Sequence, residues 1–339
     1  MTDSAHDARR TTHDAPLQTP LTRDAGCDIP IIGGAMYPCS NPELVAAVSA
    51  AGAIGVVQPV SLTYVHGHDY REGLRLIRRL APGKPIGMNA LIEKSSKLYL
   101  ERMTTWIDVA LEEGVRFFIT SLGNPRWVVD RVAAAGGKVY HDVTERKWAL
   151  KARDGGVHGL ICVNSRAGGH AGALTPEALI AECGDLGLPL VCAGGVGDES
   201  DFVRAMRLGY AGVQIGTRFI ATTECNSRAD YKQAILNAGE DDIVLTERVT
   251  GVPIAVIRTP YIERIGTSIG PIARRLFRGR RTRHWMRTFY ALRSLRKMKT
   301  DSVTGSGTGE YWQAGKSVHG ITSIEPAGDI IRRFAAAAS

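Results

Sequence analysis

Leu190-Val191-Cys192-Ala193-Gly194-Gly195-Val196-Gly197-Asp198-Glu199-Ser200 packs a strand, a turn and a helix start into one short stretch. Every position from Leu190 to Ala193 is apolar, so both faces of this strand must be covered, as in a parallel sheet flanked by helices. Gly194-Gly195 turns the chain. Asp198 is a preferred capping residue, and Glu199 places an acid in the first turn, where the helix dipole favours negative charge. The helix stops at Gly209, and Val213–Ile215 opens the next apolar run.

The same grammar recurs on both sides of this unit. Apolar runs fall at Ile31–Gly34, Ile54–Val57, Ile86–Met88, Phe117–Thr120, Val139–His141 and Leu160–Val163. Helix stops fall at Gly52, Gly114, Gly136, Gly156 and Gly187, and helix starts at Ser40-Asn41-Pro42-Glu43, Asn124-Pro125 and Thr175-Pro176-Glu177. Eight such strands alternating with helices predict an α/β chain folded as a (β/α)8 TIM barrel, with an open doubly wound sheet as the competing arrangement.

The barrel units end near Ile220. Residues 228–298 read as helical, Ser302–Gly309 as a flexible joint, and roughly Pro326–Ala337 as a terminal helix returning to the barrel. The expected division is therefore a flexible tail over 1–19, a barrel over 20–224 and 309–339, and an inserted helical subdomain over 225–308, seated above the C-terminal mouth where barrel chemistry sits.

The 339 residues are 44% hydrophobic and 22% charged, which excludes a disordered or fibrous chain. The net charge of +8 would by itself point to a polyanionic partner. It is confined to one place: residues 271–299 hold nine Arg, two Lys and no acid, leaving −3 for the rest. Nucleic acid is therefore not expected as a partner. No apolar run reaches the length of a membrane span, and the polar start with Asp3, Asp7 and Asp14 lacks a signal core. The six cysteines form no CxxC pair and read as reduced thiols of a cytoplasmic protein.

Three features carry chemistry. The glycine turns Ala193-Gly194-Gly195-Val196-Gly197 and Gln214-Ile215-Gly216-Thr217 follow the seventh and eighth strands, the habitual phosphate site of barrels. Phosphate needs converging backbone N–H groups and no intervening Cβ, which glycine turns supply. Ser165-Arg166-Ala167-Gly168-Gly169-His170 follows the sixth strand, setting a histidine that titrates near neutrality at the same mouth. Asn89 ends the third strand, where an amide can pair with a heterocycle edge. His141-Asp142 at the end of the fifth strand is a secondary candidate for this pocket. Tyr37 and Cys39 follow the first strand and border the same region. His66-Gly67-His68 has metal-like spacing but no carboxylates to complete a site.

These residues resemble the nitronate monooxygenase (2-nitropropane dioxygenase-like) family of FMN-dependent barrels, to which FMN-dependent enoyl-acyl-carrier-protein reductases are related. The likeness runs from about Ile29 to Ile321 through Pro30-Ile31-Ile32-Gly33-Gly34-Ala35-Met36, Pro85-Ile86-Gly87-Met88-Asn89, Ala167-Gly168-Gly169-His170, Gln214-Ile215-Gly216-Thr217-Arg218-Phe219 and Tyr311-Trp312-Gln313-Ala314-Gly315-Lys316-Ser317. The resemblance implies bound FMN. Gly194, Gly195, Gln214, Ile215, Gly216 and Thr217 would hold its phosphate end. Asn89, Gly168 and Gly169 would lie near the flavin, with the backbone of Gly34, Ala35 and Met36 under the ring. His170 matches the family's catalytic histidine. Two positions depart from the family pattern: its glutamate before AGGH is Arg166, and its glutamine falls at Val163 beside Asn164. A cation at 166 either favours an anionic substrate or faces solvent.

Three functions follow. The first is a monooxygenase that oxidises nitronates or nitroalkanes with dioxygen. The second is an NAD(P)H-dependent FMN reductase of enoyl thioesters. The third is an anionic-surface binder on a retired barrel, using the 271–299 stretch. The first implies a small-molecule substrate, anionic if Arg166 serves it, and is compatible with a homodimer.

Overall fold

The computed structural model describes residues 17–93, 97–248, 250–270, 296–304 and 311–338. Eight parallel strands close a barrel in chain order: β1 (Ile31–Gly33), β2 (Ile54–Val57), β3 (Ile86–Leu91), β4 (Phe117–Ser121), β5 (Lys138–Val143), β6 (Gly159–Val163), β7 (Leu190–Ala193) and β8 (Gly212–Ile215), with β8 pairing back to β1. Closure excludes the open sheet. Each expected strand is present, and the six glycines expected to stop helices all adopt positive φ.

Alternation along each strand builds two layers. Ile32, Ile54, Val56, Phe117, Ile119, Tyr140, Ile161 and Val191 fill the barrel interior. Their neighbours, among them Ile31, Met88, Phe118, Leu160, Cys162, Cys192 and Val213, pack outward against the helices. The helices are α2 (Pro42–Ala50), α3 (Tyr70–Leu80), α4 (Lys97–Glu112), α5 (Arg126–Ala134), α6 (Arg146–Asp154), α7 (Pro176–Cys183) and α8 (Glu199–Arg207), with the short α9 (Thr217–Ile220) after β8. Their capping follows the sequence: Thr175 Oγ1 accepts from Ala178 N at 3.2 Å, and Asp198 Oδ1 from Asp201 N at 3.0 Å.

A preceding helix, α1 (Pro20–Ala25), closes the N-terminal end, sending Leu21 and Ala25 into the interior layer. The Tyr140 ring lies inside this end, 5.1 Å from Phe117, and its hydroxyl donates to Asp24 Oδ2 at 3.0 Å. Gly159 is the space for that ring, since a Cβ there would overlap it. The bottom of the barrel is thus plugged, and only the C-terminal end is available for chemistry.

The insertion differs from its expected all-helical form. After α10 (Ala229–Asn237) comes an antiparallel hairpin of β9 (Ile243–Thr246) and β10 (Ile254–Ile257), then α11 (Pro260–Ile265). β10 bridges Gly169 and Gln313, so the insertion does sit at the C-terminal mouth. Most of the basic stretch, 271–295, and most of the expected tail, 1–16, lie outside the described residues. The terminal helix, α12 (Ala327–Ala338), returns to the barrel as expected, stacking Phe334 on Phe202 of α8 at 5.8 Å. No helix among the described residues is long and apolar enough to cross a membrane.

Candidate active site

The loop after β6 and the turn after β7 are knotted together by Asn164. Its Nδ2 donates to Gly194 O at 3.0 Å, and its Oδ1 accepts from Arg166 N at 2.8 Å. Gly194 and Gly195 take φ of +116° and +82°. A Cβ at Gly194 would lie 2.5 Å from Ala167 N, and one at Gly195 would lie 2.6 Å from Arg166 Nε. These two glycines therefore serve more than the turn: Gly194 admits the Ala167 backbone and Gly195 the Arg166 side chain. Farther along, Gly197 N donates to Asp201 Oδ2 at 2.9 Å and Asp198 caps α8. The start of α8 is occupied by its own carboxylates, so of the expected phosphate elements the Gly194–Val196 and Gly216-Thr217 turns keep backbone N–H groups away from that cap.

A segment distant in sequence completes this rim. Gly315 N donates to Thr217 Oγ1 at 3.0 Å, and Lys316 N donates to Arg166 O at 2.8 Å. Gly168 and Gly315 approach so closely that a Cβ on Gly168 would lie 2.9 Å from Gly315 N. On the other side, Gly34 N donates to Ile215 O at 2.9 Å, and Met36 Sδ is 3.6 Å from where a Cβ of Gly216 would sit. Ala35 packs against the barrel interior. The structure thus brings Gly34, Ala35, Met36, Gly168, Gly169, Gly194, Gly195, Gln214, Ile215, Gly216 and Thr217 into one continuous rim.

His170 stands on this rim. Gly169, at φ +66°, exchanges backbone hydrogen bonds with Ala255 of β10, at 2.7 Å and 3.3 Å. The loop carrying the histidine is therefore clamped to the insertion. The imidazole is open to water and, among the described residues, has no hydrogen-bond partner. Surrounding protein desolvates it and lowers its pKa, so the neutral, proton-accepting form predominates at pH 7.

Inside the mouth, alternation separates His141 from Asp142. His141 turns outward, its Nδ1 2.8 Å from Thr120 Oγ1, and burial drives its pKa down to about 4. It is a packing residue and not part of the pocket. Asp142 turns inward and accepts from Ser121 Oγ at 2.8 Å, while Asn89 Nδ2 reaches Ser121 Oγ at 3.5 Å. Burial, opposed by the Ser121 bond, raises the Asp142 pKa to about 6. Asn89 is accordingly linked to Asp142 through Ser121. Two buried oxygens in this mouth lack partners: Asp142 Oδ1 and Gln214 Oε1. Unpaired buried acceptors are costly unless a ligand meets them, and a flavin ring offers both donor and acceptor groups along one edge. The residues present fit that cofactor.

Neither expectation for Arg166 holds. Its guanidinium forms a two-pronged ion pair with Glu240, one prong at 3.1 Å, while its stem lies over Gly195. Its charge is held by the insertion and is not offered to substrate. Arg218, beside the second phosphate turn, is 2% exposed and points away to Glu325 Oε1 at 2.9 Å and Ser323 O at 2.9 Å. It anchors the C-terminal segment.

Sequence reading missed Ser121 and Glu240, and it used the 313–316 segment without assigning it a place in the site. Of these only the Gln313-Ala314-Gly315 motif carried a signal. His66 is held by Pro38 O and Asn226 at 3.2 Å each and joins no metal cluster. The group with metal-like spacing among the described residues is Asp198, Asp201 and His319, two of which already cap α8. Tyr37 is half-buried, which pushes its pKa up to about 12. All six cysteines are buried free thiols.

Comparison with known proteins agrees with this geometry. A model of the nitronate monooxygenase family matches residues 18–336. The (3aS,4S,5R,7aS)-5-hydroxy-7a-methyl-1-oxo-octahydro-1H-indene-4-carboxyl-CoA dehydrogenase of Mycobacterium tuberculosis is 29% identical over 254 residues, covering 74% of this chain and 68% of the relative. A probable nitronate monooxygenase of Staphylococcus saprophyticus is 28% identical over 292 residues, covering 74% and 81%. The structure of FabK from Thermotoga maritima superposes with a TM-score of 0.75 at 25% identity, covering 94% of this chain and 96% of that one. The closed barrel, its intact rim and the length of the match place this chain in the nitronate monooxygenase family of flavin-dependent oxidoreductases.

Proposed function

We propose that the protein is an FMN-dependent nitronate monooxygenase, oxidising nitroalkanes and their nitronates with dioxygen. The observation that carries this reading is His170: an unpaired, neutral imidazole fixed by the Gly169–Ala255 clamp on the rim that fits the cofactor. FMN, when bound, supplies a two-electron acceptor that dioxygen can reoxidise. The Gly194–Val196 and Gly216-Thr217 turns would hold its phosphate, and Gln214, Asn89 and Asp142 would meet its ring. His170 takes the α-proton of a neutral nitroalkane on its free nitrogen; for a preformed nitronate it has only to orient the anion.

A second reading is favoured by relatives whose names specify a carboxyl-CoA dehydrogenase, and by the FabK likeness: an oxidoreductase of acyl or enoyl thioesters. Oxygen uptake separates the two. The FMN-loaded protein is expected to consume oxygen with propane 2-nitronate or propionate 3-nitronate, without NAD(P)H. NAD(P)H oxidation that depends on an enoyl thioester, with no nitronate-driven oxygen uptake, would replace the first reading by the second.

A further inference from the structure

Asp142 is an expensive residue for the apo fold. Its carboxyl projects into the barrel from β5, Oδ2 accepts a single hydrogen bond from Ser121, and Oδ1 is buried without a partner. Among the described residues no cation balances it: burial and Ser121 set its acidity, His141 on the same strand faces away, and Arg166 on the next loop is paired with Glu240. Among the described residues, His170, Tyr37 and Lys316 are further titratable groups on the rim segments. A pKa raised to about 6 means the folded state holds the proton more tightly than the unfolded chain. Asp142 therefore lowers stability as pH rises from its unfolded value through 6. Packing gains nothing from such a group, so its return must come from a ligand.

The chemistry of the unmet atom narrows that ligand. Above its pKa, Oδ1 is purely an acceptor and requires a donor. An oxidised isoalloxazine carries one ring N–H, in the imide edge between its two carbonyls. The other unpaired oxygen in the mouth, Gln214 Oε1, belongs to an amide that can turn to present N–H instead. A carboxylate has no such choice.

We propose that Asp142, held by Ser121, is the acceptor for the imide N–H of the bound flavin. It thereby makes flavin affinity depend on a side chain deep in the barrel and not only on the phosphate turns. This assignment rests on the flavin reading above. Ionised Asp142 binds the ring; protonating it leaves only a neutral carbonyl acceptor and weakens binding.

Riboflavin is the probe, because it lacks the phosphate whose own titration near pH 6 would confuse the profile. The full-length apo protein is titrated with riboflavin by fluorescence quenching between pH 5 and 8.5, for wild type, Asp142→Asn and Asp142→Leu, with thermal melts of each apo form. The expected wild-type Kd rises about tenfold as pH falls through the carboxyl's transition, a change equivalent to about 1.4 kcal/mol. Asp142→Asn keeps only a neutral acceptor, so at pH 8 it binds about as weakly as the protonated wild type, with a flat profile. Asp142→Leu binds at least tenfold more weakly at pH 8. Both variants melt at or above wild type at that pH, which separates the effect from misfolding. If Asp142→Leu lowers the melting temperature, the Asp142→Asn profile decides. Wild-type affinity in Asp142→Leu, or the same pH dependence surviving in Asp142→Asn, overturns the assignment while leaving the flavin reading intact. Failure of the wild type to bind either riboflavin or FMN overturns both.

Discussion

Gly169 and Ala255 pair their backbones across the barrel mouth, so the histidine loop of the barrel and the hairpin of the insertion move as one piece. The pairing depends on a left-handed Gly169, where a side chain is strained by about 1–2 kcal/mol and its Cβ would lie 2.9 Å from Gln313 Oε1. Gly169→Ala is expected to lower kcat/KM about tenfold or more while shifting the melting temperature by only a few degrees. Steady-state kinetics beside a thermal melt check this; a melting loss without a kinetic one would deny the clamp its role.

His170→Ala should retain flavin and lose about 10²–10⁴-fold in turnover of a neutral nitroalkane, with a much smaller loss on preformed nitronate. In the wild type the base must be unprotonated, and its pKa lies below the usual imidazole value. The nitroalkane rate is therefore expected to climb with pH and level off before neutrality. Equal rates of wild type and variant on both substrates would remove the proton-accepting role.

Arg218 and Glu325 form an ion pair whose arginine is 2% exposed. Removing one partner of such a pair leaves the other uncompensated, so Arg218→Ala should destabilise the protein by about 3–5 kcal/mol in urea unfolding. The Glu325 pKa is held down, so its contribution is present above the unfolded carboxyl value and is lost as pH falls through the folded one. The difference between wild type and Arg218→Ala should accordingly shrink in acid.

Gly159→Ala sets a methyl group against the Tyr140 ring at the closed end of the barrel. Overpacking of this kind costs about 1–3 kcal/mol. Because the mouth is at the other end, flavin affinity should stay within twofold of wild type; a large loss would mean that the two ends are coupled.

The barrel is legible in the sequence because its signals are local. A strand covered on both faces needs an unbroken apolar run, and each helix that ends in a left-handed residue needs a glycine to do so, as at Gly136 or Gly209. The glycine turns after β7 and β8 are legible for the same reason. The hairpin Ile243–Thr246 and Ile254–Ile257 is hidden inside a stretch that reads as helical, and its strands are fixed by pairing with each other and with Gly169 and Gln313. Asp142 and His141 look alike as neighbours at a strand end; only barrel closure decides which faces in. Arg166 meets Glu240 across 74 residues, a relation that no local pattern encodes.

The Gly315–Thr217 hydrogen bond also sets a timetable for biosynthesis. Gly315 emerges from the ribosome after all eight strands, and Arg218 waits still longer for Glu325. All eight strands are thus synthesised before the segment that ties down the Thr217 turn and the Arg166 loop. On the proposed FMN reading, cofactor loading would be a late event, tied to release of the finished chain, and a product truncated before residue 311 is expected not to retain flavin.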